Sequence, residues 1–454
     1  MPLKSVNPAT GKLIKEFSEM SKKEVEEIIS SADAAFRRWK EYDPEHRCEL
    51  MKKAGSQLLK EKEKYAETIT NEMGKPIVQS VAEVEKCAWV CDYYAENAAN
   101  FLADEIIETD ATESYVSFEP LGVILAVMPW NFPFWQVFRF AAPALTAGNG
   151  AVLKHASNVS MCALAIEEVF VKAGFPENLF RTLLVASSAV KNIIHNDLIK
   201  AATFTGSEFA GSMVASECGS KLKKTVLELG GSDPFIVLRD ADVAEAASVG
   251  VKARIINNGQ SCIAAKRFIV AEEIYDEFME LFIKNMKGLK VGNPMENNCD
   301  LGPIAREDLL AELEMQVKKS IEMGAAIITG GKRLNREGFF MEPTILEGVK
   351  KGMPAYEEEI FGPVASVIKI RTVEEAIRIA NDTSFGLGAA IWTKDIEKAK
   401  LLARKIDSGS VFINGMVKSD PRLPFGGIKK SGYGRELSHY GMKEFVNIKT
   451  VWIK

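Results

Sequence analysis

Cys262 closes the stretch Asn257–Cys262, "NNGQSC", between an amphipathic run and the β-rich run "RFIVA". A thiol attacks as its thiolate, and its reference pKa is about 8.5, so a neighbouring base or an amide-rich pocket is what makes it competent. Gly259 and Ser261 leave little bulk around it. The competing reading is a small buried cysteine packed in a polar turn. Glu228, in "VLELGGSDP", sits between Leu227 and Leu229 and ends a strand at two glycines. A carboxylate at the C-terminal end of a strand in an α/β fold faces the usual ligand crevice. Partial desolvation there raises its pKa toward general-base work. The alternative is a surface glutamate on an edge strand. Asn131, in "MPWNFP", carries an amide NH2 that can donate to a developing oxyanion or cap its own turn. In "FTGSEFAG", a strand runs into Gly206 and Ser207, which open a helix whose N-terminal amides suit a phosphate. The stretch is not a GxGxxG fingerprint and is weak alone. A thiol, a carboxylate, an amide donor and a phosphate-binding turn, all at strand ends, read together as acyl-thioenzyme chemistry with a nucleotide cofactor.

The elements that must position these residues alternate. Residues 22–39 carry Val25, Ile28, Ile29, Ala32, Phe36 and Trp39 at helical spacing, with Ser21 as N-cap. Further helical stretches cover about 45–72 and 76–104. From residue 121 onward strands and helices take turns: 122–129, 150–154, 180–185, 200–206, 224–231 and 233–238 are β-like, with helices between all but the last two. The pattern resumes with helices near 241–257, 272–288, 306–323, 373–381 and 395–406. Strands near 267–271, 326–329, 364–369, 388–392 and 410–414 separate them. Such alternation implies βαβ units and mainly parallel sheets, here as two α/β domains joined near 230–240. The tail "EFVNIKTVWIK" alternates like a strand with no later element to cover it, which invites pairing with another chain.

The 454 residues suffice for two or three domains. Composition is that of a soluble globular protein, 47% hydrophobic and 26% charged, with a net charge of −5. No Lys/Arg block suggests nucleic acid. Neither a secretory h-region nor an apolar run of about 18 residues is present, so no signal peptide and no membrane span are expected. The seven cysteines are odd in number and irregular in spacing, which suits a reducing compartment. Cys87 and Cys91, four apart on a helix, read as core packing. With four scattered histidines, no metal site is expected.

Nine stretches make the chain resemble the aldehyde dehydrogenase superfamily along essentially its whole length. They are "NPATG", "PWNFP", "PALTAGN", "FTGS", "LELGG", "NNGQSC", "EEIFGPV", "SFGLGAAIWT" and "PFGGIKKSGYGRE", in the family's order. The resemblance implies an α/β fold with a Rossmann-like cofactor domain (1–104 and 121–230), a catalytic domain (231–436) and a small oligomerisation β-unit (105–120 and 437–454). It implies Cys262 as nucleophile, Asn131 and the Cys262 N–H as oxyanion donors, and Glu228 as the base that activates the hydrolytic water. For the cofactor it implies Lys154 at the adenosine ribose, Ser207 at the pyrophosphate and Glu359 at the nicotinamide ribose with Phe361 nearby. Trp130, Gly206 and Gly211 belong to the same implied site. Many NAD-specific relatives carry a glutamate where this chain has Ser157; serine leaves room for a 2′-phosphate, so NAD or NADP is expected. "LKHASN", "NNGQSCIAAKRF" and "SDPRLPFGG" look like one branch, the succinate-semialdehyde dehydrogenases. A substrate carboxylate then needs a cation, and Arg139 and Arg422 are the candidates, each open to being a structural ion-pair residue instead. Lactaldehyde, glyceraldehyde 3-phosphate and glutarate semialdehyde are rival substrates. A cofactor-independent thioesterase or acyltransferase and a non-catalytic protein are rival classes. The resemblance implies a cytoplasmic homodimer or homotetramer acting on a small aldehyde, without nucleic-acid or membrane partners.

Overall fold

The computed structural model describes residues 3–454. Two large sheets carry the fold, and both are parallel except at one edge. The first has six strands in the order Gly432–Tyr433, Lys224–Glu228, Ile199–Thr205, Val123–Met128, Gly150–His155 and Phe180–Thr182. Only Gly432–Tyr433 runs antiparallel. Every residue of Val123–Met128 and Gly150–His155 is buried, as expected for parallel strands covered by helices on both faces. The chain lays down Val123–Met128 first, builds outward on one side, then returns to add Ile199–Thr205 on the other. Strand order therefore reverses beside Val123–Met128, and the crevice for a ligand opens at the C-terminal ends there.

The second sheet has seven strands in the order Ala326–Thr329, Thr344–Glu347, Val364–Ile370, Arg267–Ala271, Pro234–Val237, Gly388–Trp392 and Ser410–Ile413. Only the Ala326–Thr329 edge is antiparallel. The chain leaves the first sheet at Glu228 and enters the second at Pro234. The helix Trp135–Thr146, which follows Asn131, is buried along its whole length.

Several sequence expectations change. The helical stretch 45–72 is two helices, Pro44–Lys60 and Lys62–Met73, broken at Glu61 where φ is −116° and ψ 25°. The strand expected over 180–185 spans only Phe180–Thr182. An N-terminal hairpin, Leu3–Asn7 with Lys12–Phe17, and the strand Thr344–Glu347 are not legible in the alternation. Ser21 does cap its helix, in a reciprocal capping box with Glu24. Cys87 and Cys91 lie fully buried in Ile77–Phe101. The tail strand, Val446–Ile453, is covered after all: it pairs antiparallel with Glu113–Pro120 of the same chain. Its other edge has no strand beside it among the described residues, and Ile448, Trp452 and Ile453 stand exposed on it. No helix among the described residues is long and apolar enough to cross a membrane.

Candidate active site

The stretch before Cys262 is not a surface turn. Asn257, Asn258, Gln260 and Ser261 are completely buried. Three consecutive residues take left-handed backbone, with φ of 55° at Asn257, 59° at Asn258 and 76° at Gly259. At Gly259 no side chain is possible, because a Cβ would stand 2.3 Å from the Gly362 carbonyl oxygen. Asparagine is the residue that best tolerates this backbone, and here each asparagine also has work for its amide. Asn257 Nδ2 donates to the carbonyls of Asn131 (2.6 Å) and Gln260 (3.0 Å), and its N–H donates to Gln79 Oε1. Asn258 Nδ2 donates to Gly74 O and Pro303 O, and its Oδ1 accepts from Gly302 N–H. Lys266, almost fully buried, closes the loop from the far side: its Nζ donates to Ser261 O (2.9 Å) and Cys262 O (2.7 Å) and meets Glu359 Oε1 at 3.3 Å. The nucleophile is thus held on a rigid, hydrogen-bonded loop.

Cys262 is the one cysteine of the seven that is not buried. Its surroundings are nonetheless poor in water, and burial pushes the thiol up to about 12, against the opposing pull of Lys266. At neutral pH the resting thiol is therefore protonated and needs a base. Asn131 Nδ2 donates one hydrogen to Gln260 O at 3.1 Å, leaving the second free. The Cys262 N–H has no acceptor among the described residues. The two make a pair of donors for an oxyanion.

Glu228 ends its strand as expected, but its side chain turns away from solvent. It is 2% exposed, and neither carboxyl oxygen has a hydrogen-bond partner among the described residues. Gly426 is what makes room for it, since a Cβ there would come within 2.6 Å of Glu228 Oε1. Burial drives the Glu228 carboxyl well above its ordinary range; the Arg139 guanidinium opposes this and Glu436 adds to it. Arg139 pairs with the buried Glu436 and lies over the Phe425 ring at 4.5 Å. Glu436 thus takes the guanidinium, and Glu228 feels its charge without a direct bond to it.

Two cavities of about 520 Å³ each meet at Cys262 and Gln136. The first opens at the strand-order reversal: Trp130 and Asn131, Gly206 and Ser207, and Gly230 come from three adjacent strand ends, and Glu359 and Phe361 face them. Trp130 and Phe361 meet edge to face at 5.8 Å. Ser207 caps the helix Glu208–Gly219, its Oγ accepting from Ala210 N–H. The second cavity approaches Cys262 from the other side, between Phe132, Trp135, Ile255, Ile263 and Phe425.

The aldehyde dehydrogenase family's sequence profile matches residues 1–451. The chain belongs to the aldehyde dehydrogenase family. Among its relatives, a probable succinate-semialdehyde dehydrogenase (NADP+) of Synechocystis sp. is 51% identical, and both chains are fully covered. A succinate-semialdehyde dehydrogenase (NADP+) of Mycobacterium tuberculosis is 49% identical, again with both chains fully covered. The crystal structure of succinic semialdehyde dehydrogenase from Streptococcus pyogenes in complex with NADP+ superposes with a TM-score of 0.97 at 39% identity, covering 99% of each chain.

Of the residues expected at the dehydrogenase's cofactor, Trp130, Gly206, Ser207, Glu359 and Phe361 line the first cavity. Glu359 does more than was expected of it, since its Oε1 also accepts from Gly231 N–H at 3.0 Å and meets Lys266. Lys154 and Ser157 lie off that cavity, at the end of Gly150–His155 and just beyond. Lys154 is buried with no acidic partner among the described residues, and burial lowers its pKa. Gly211 packs under Leu229, where a Cβ would be 2.5 Å from Leu229 Cδ2. Arg139 lines the second cavity with its charge already met by Glu436. Arg422 is not on that wall; it is exposed and held in a bidentate pair by Asp420, at 2.9 and 2.7 Å. Sequence reasoning missed Lys266, Gln136 and Glu436. Glu436 lies inside the matched stretch "PFGGIKKSGYGRE", but no local pattern marks it as the partner of Arg139.

Proposed function

We propose that this aldehyde dehydrogenase oxidises succinate semialdehyde to succinate with NADP+, with Cys262 as nucleophile. The observation that carries the reading is the meeting of two cavities at the Cys262 thiol, the second of them apolar in its walls yet cationic in its charges. Lys86, Lys252 and Lys418 line it against Asp300 alone, since Glu83 and Arg139, also on its wall, are already paired with Lys75 and Glu436. An anionic aldehyde is favoured by such a field.

Chemically, the Cys262 sulfur adds to the aldehyde carbon once its proton has passed to a base. The oxygen that becomes anionic lies between the Asn131 amide and the Cys262 N–H. A nicotinamide held in the first cavity, beside Trp130, Glu359 and Phe361, would supply the acceptor for the hydride that leaves the substrate carbon. The thioester left on Cys262 is then hydrolysed by a water that loses its proton to Glu228. A carboxyl with a raised pKa is, once ionised, a stronger base than an ordinary carboxylate and so is suited to taking that proton. The fit of a dinucleotide rests on glycines at Gly206 and Gly230, on the capped helix end at Ser207 and on the unpaired Lys154. Ser157, small, neutral and exposed, leaves a 2′-phosphate room beside that lysine. The NADP+ named for the relatives supports the same preference.

The same reading divides the chain into domains, with Gly432–Tyr433 of the catalytic part closing the edge of the first sheet. Residues 1–104 and 121–230 form the cofactor domain, 231–436 the catalytic domain, and 105–120 with 437–454 an assembly unit whose open edge strand joins copies into a homodimer or homotetramer. Seven free cysteines suit the cytoplasm. The test is reduced-nicotinamide absorbance across succinate semialdehyde, glutarate semialdehyde, lactaldehyde, glyceraldehyde 3-phosphate and butanal, with NAD+ and NADP+ in turn. Succinate semialdehyde with NADP+ should give the highest kcat/KM. Equal rates with butanal would overturn the substrate assignment.

A further inference from the structure

The second cavity contains a cation that neither arginine expectation anticipates. Lys86 lies on the helix Ile77–Phe101, half-buried, with its Nζ 4.3 Å over the Trp135 ring and 2.8 Å from Ser419 Oγ. It has no carboxylate partner among the described residues. Of the other charges on this wall, Lys252, Lys418 and Asp300 are exposed to solvent, and the buried ones are already taken. Glu83, one turn back on the same helix, binds Lys75, and its Oε1 accepts from the Phe134 and Trp135 N–H groups at 2.9 and 3.0 Å. Arg139, on the helix Trp135–Thr146, is bound to Glu436. Asp420, on the loop that carries Ser419, is held bidentately by Arg422. Cys87, next along the helix, is buried, and its thiol is held neutral by that burial. What remains, apart from the exposed Lys252 and Lys418, is one half-buried ammonium with no carboxylate partner, beside an aromatic face and a hydroxyl, in the cavity that ends at the Cys262 thiol.

Resting on the succinate-semialdehyde reading above, we propose that Lys86 is the residue that grips the carboxylate of the substrate and so sets the preference for aldehydes that end in an acid. Arg422 then acts only indirectly, by occupying Asp420 and keeping it from Lys86. Arg139 serves Glu436 and Glu228 rather than the substrate. The chemistry suits the position. A half-desolvated ammonium that lacks a counter-ion gains more from a carboxylate than a solvated one does, and the three hydrogens of Nζ leave donors beyond the one spent on Ser419. Burial and the nearby Arg139 guanidinium pull the Lys86 ammonium down to about 8, against the opposing pull of Asp420 and Glu83. In the free enzyme the grip is therefore full below that pH and fades above it, which kcat/KM reports.

The experiment compares kcat/KM for succinate semialdehyde and for butanal in the wild type, Lys86→Met and Lys86→Arg, from pH 6.5 to 9.5. In Lys86→Met the preference for the semialdehyde should fall about ten- to a hundredfold, the range for one charge-assisted hydrogen bond, with the loss in KM rather than kcat. Lys86→Arg should restore most of it. The wild-type preference should decline above about pH 8, and that of Lys86→Arg should stay flat. Lys86→Met supplies a long apolar side chain of similar length, and its folding is checked by the helical dichroism and by a stoichiometric thiol titration of Cys262. A wild type that prefers the semialdehyde while Lys86→Met keeps the same preference would overturn the assignment of Lys86 alone. A wild type with no preference would overturn the substrate reading beneath it.

Discussion

Replacing Glu228 by glutamine keeps the volume of the side chain and removes its ability to take a proton. A positioned general base contributes about 10²–10⁴-fold to the step it serves, equivalent to about 3–5 kcal/mol of barrier. If Glu228 serves hydrolysis alone, the first turnover should still release reduced nicotinamide in a burst approaching one per active site, followed by a steady rate slower by that factor. The variant should also gain stability at alkaline pH. The folded Glu228 carboxyl titrates well above its ordinary value because it is buried without a partner. The folded protein therefore holds this proton more tightly than the unfolded chain, where the reference is about 4.3. Its contribution is full below that value and is lost as pH rises toward the folded pKa. Glutamine carries no such liability, so Glu228→Gln should resist denaturant better than the wild type at pH 8 and equally at pH 4.5. Stopped-flow absorbance and urea titration at the two pH values measure both effects. A variant that shows no burst would mean that Glu228 also activates the thiol. A variant less stable than the wild type at pH 8 would refute the claim that its carboxyl is an unpaired buried acid.

Cys262→Ala should abolish turnover while binding NADP+ as the wild type does, by fluorescence titration. Without cofactor, alkylation of Cys262 by iodoacetamide should be slow at pH 7 and rise roughly tenfold per pH unit without levelling off up to pH 10, since the thiol is pushed up to about 12; a plateau below pH 9 would contradict this. Ser157→Glu should turn the cofactor preference toward NAD+, losing more with NADP+ than it gains with NAD+; an unchanged ratio of kcat/KM would show that the 2′ position is read elsewhere. Gly259→Ala should lose about 2–5 kcal/mol in denaturant unfolding, from left-handed backbone and from the forced approach to Gly362 together, with kcat falling in parallel.

Strand ends were the most readable part of the site. Glu228, Asn131, Gly206 and Ser207 stand where alternation of strands and helices puts them, because a parallel sheet delivers its loops to one edge. Side-chain direction was not readable. Whether Glu228 points into a crevice or back against Gly426 depends on a segment nearly 200 residues later. "NNGQSC" looks like a polar surface turn because its polarity is visible, while the carbonyls and amides that satisfy it belong to residues near 74, 79, 131 and 303. The arginines were identifiable as cations, but not as spent ones. Asp420 stands two residues before Arg422 and offered a local hint, whereas Glu436 reaches Arg139 only through the tertiary fold. Lys86 carried no signal at all, since a lysine in an amphipathic helix ordinarily faces water.

The loop that carries Cys262 is stitched to partners 178 and 184 residues away in sequence, Gln79 and Gly74, and to Gly302 and Ala305 on its other side. Contacts of such long sequence separation close only after the segments between them have condensed. The left-handed run at 257–259 has no local preference to hold it until they do. The nucleophile should therefore be among the last features to take shape as the chain folds. In refolding from urea, helical dichroism should recover before dehydrogenase activity does, so that catalytic competence serves as a timer for completion of the native state.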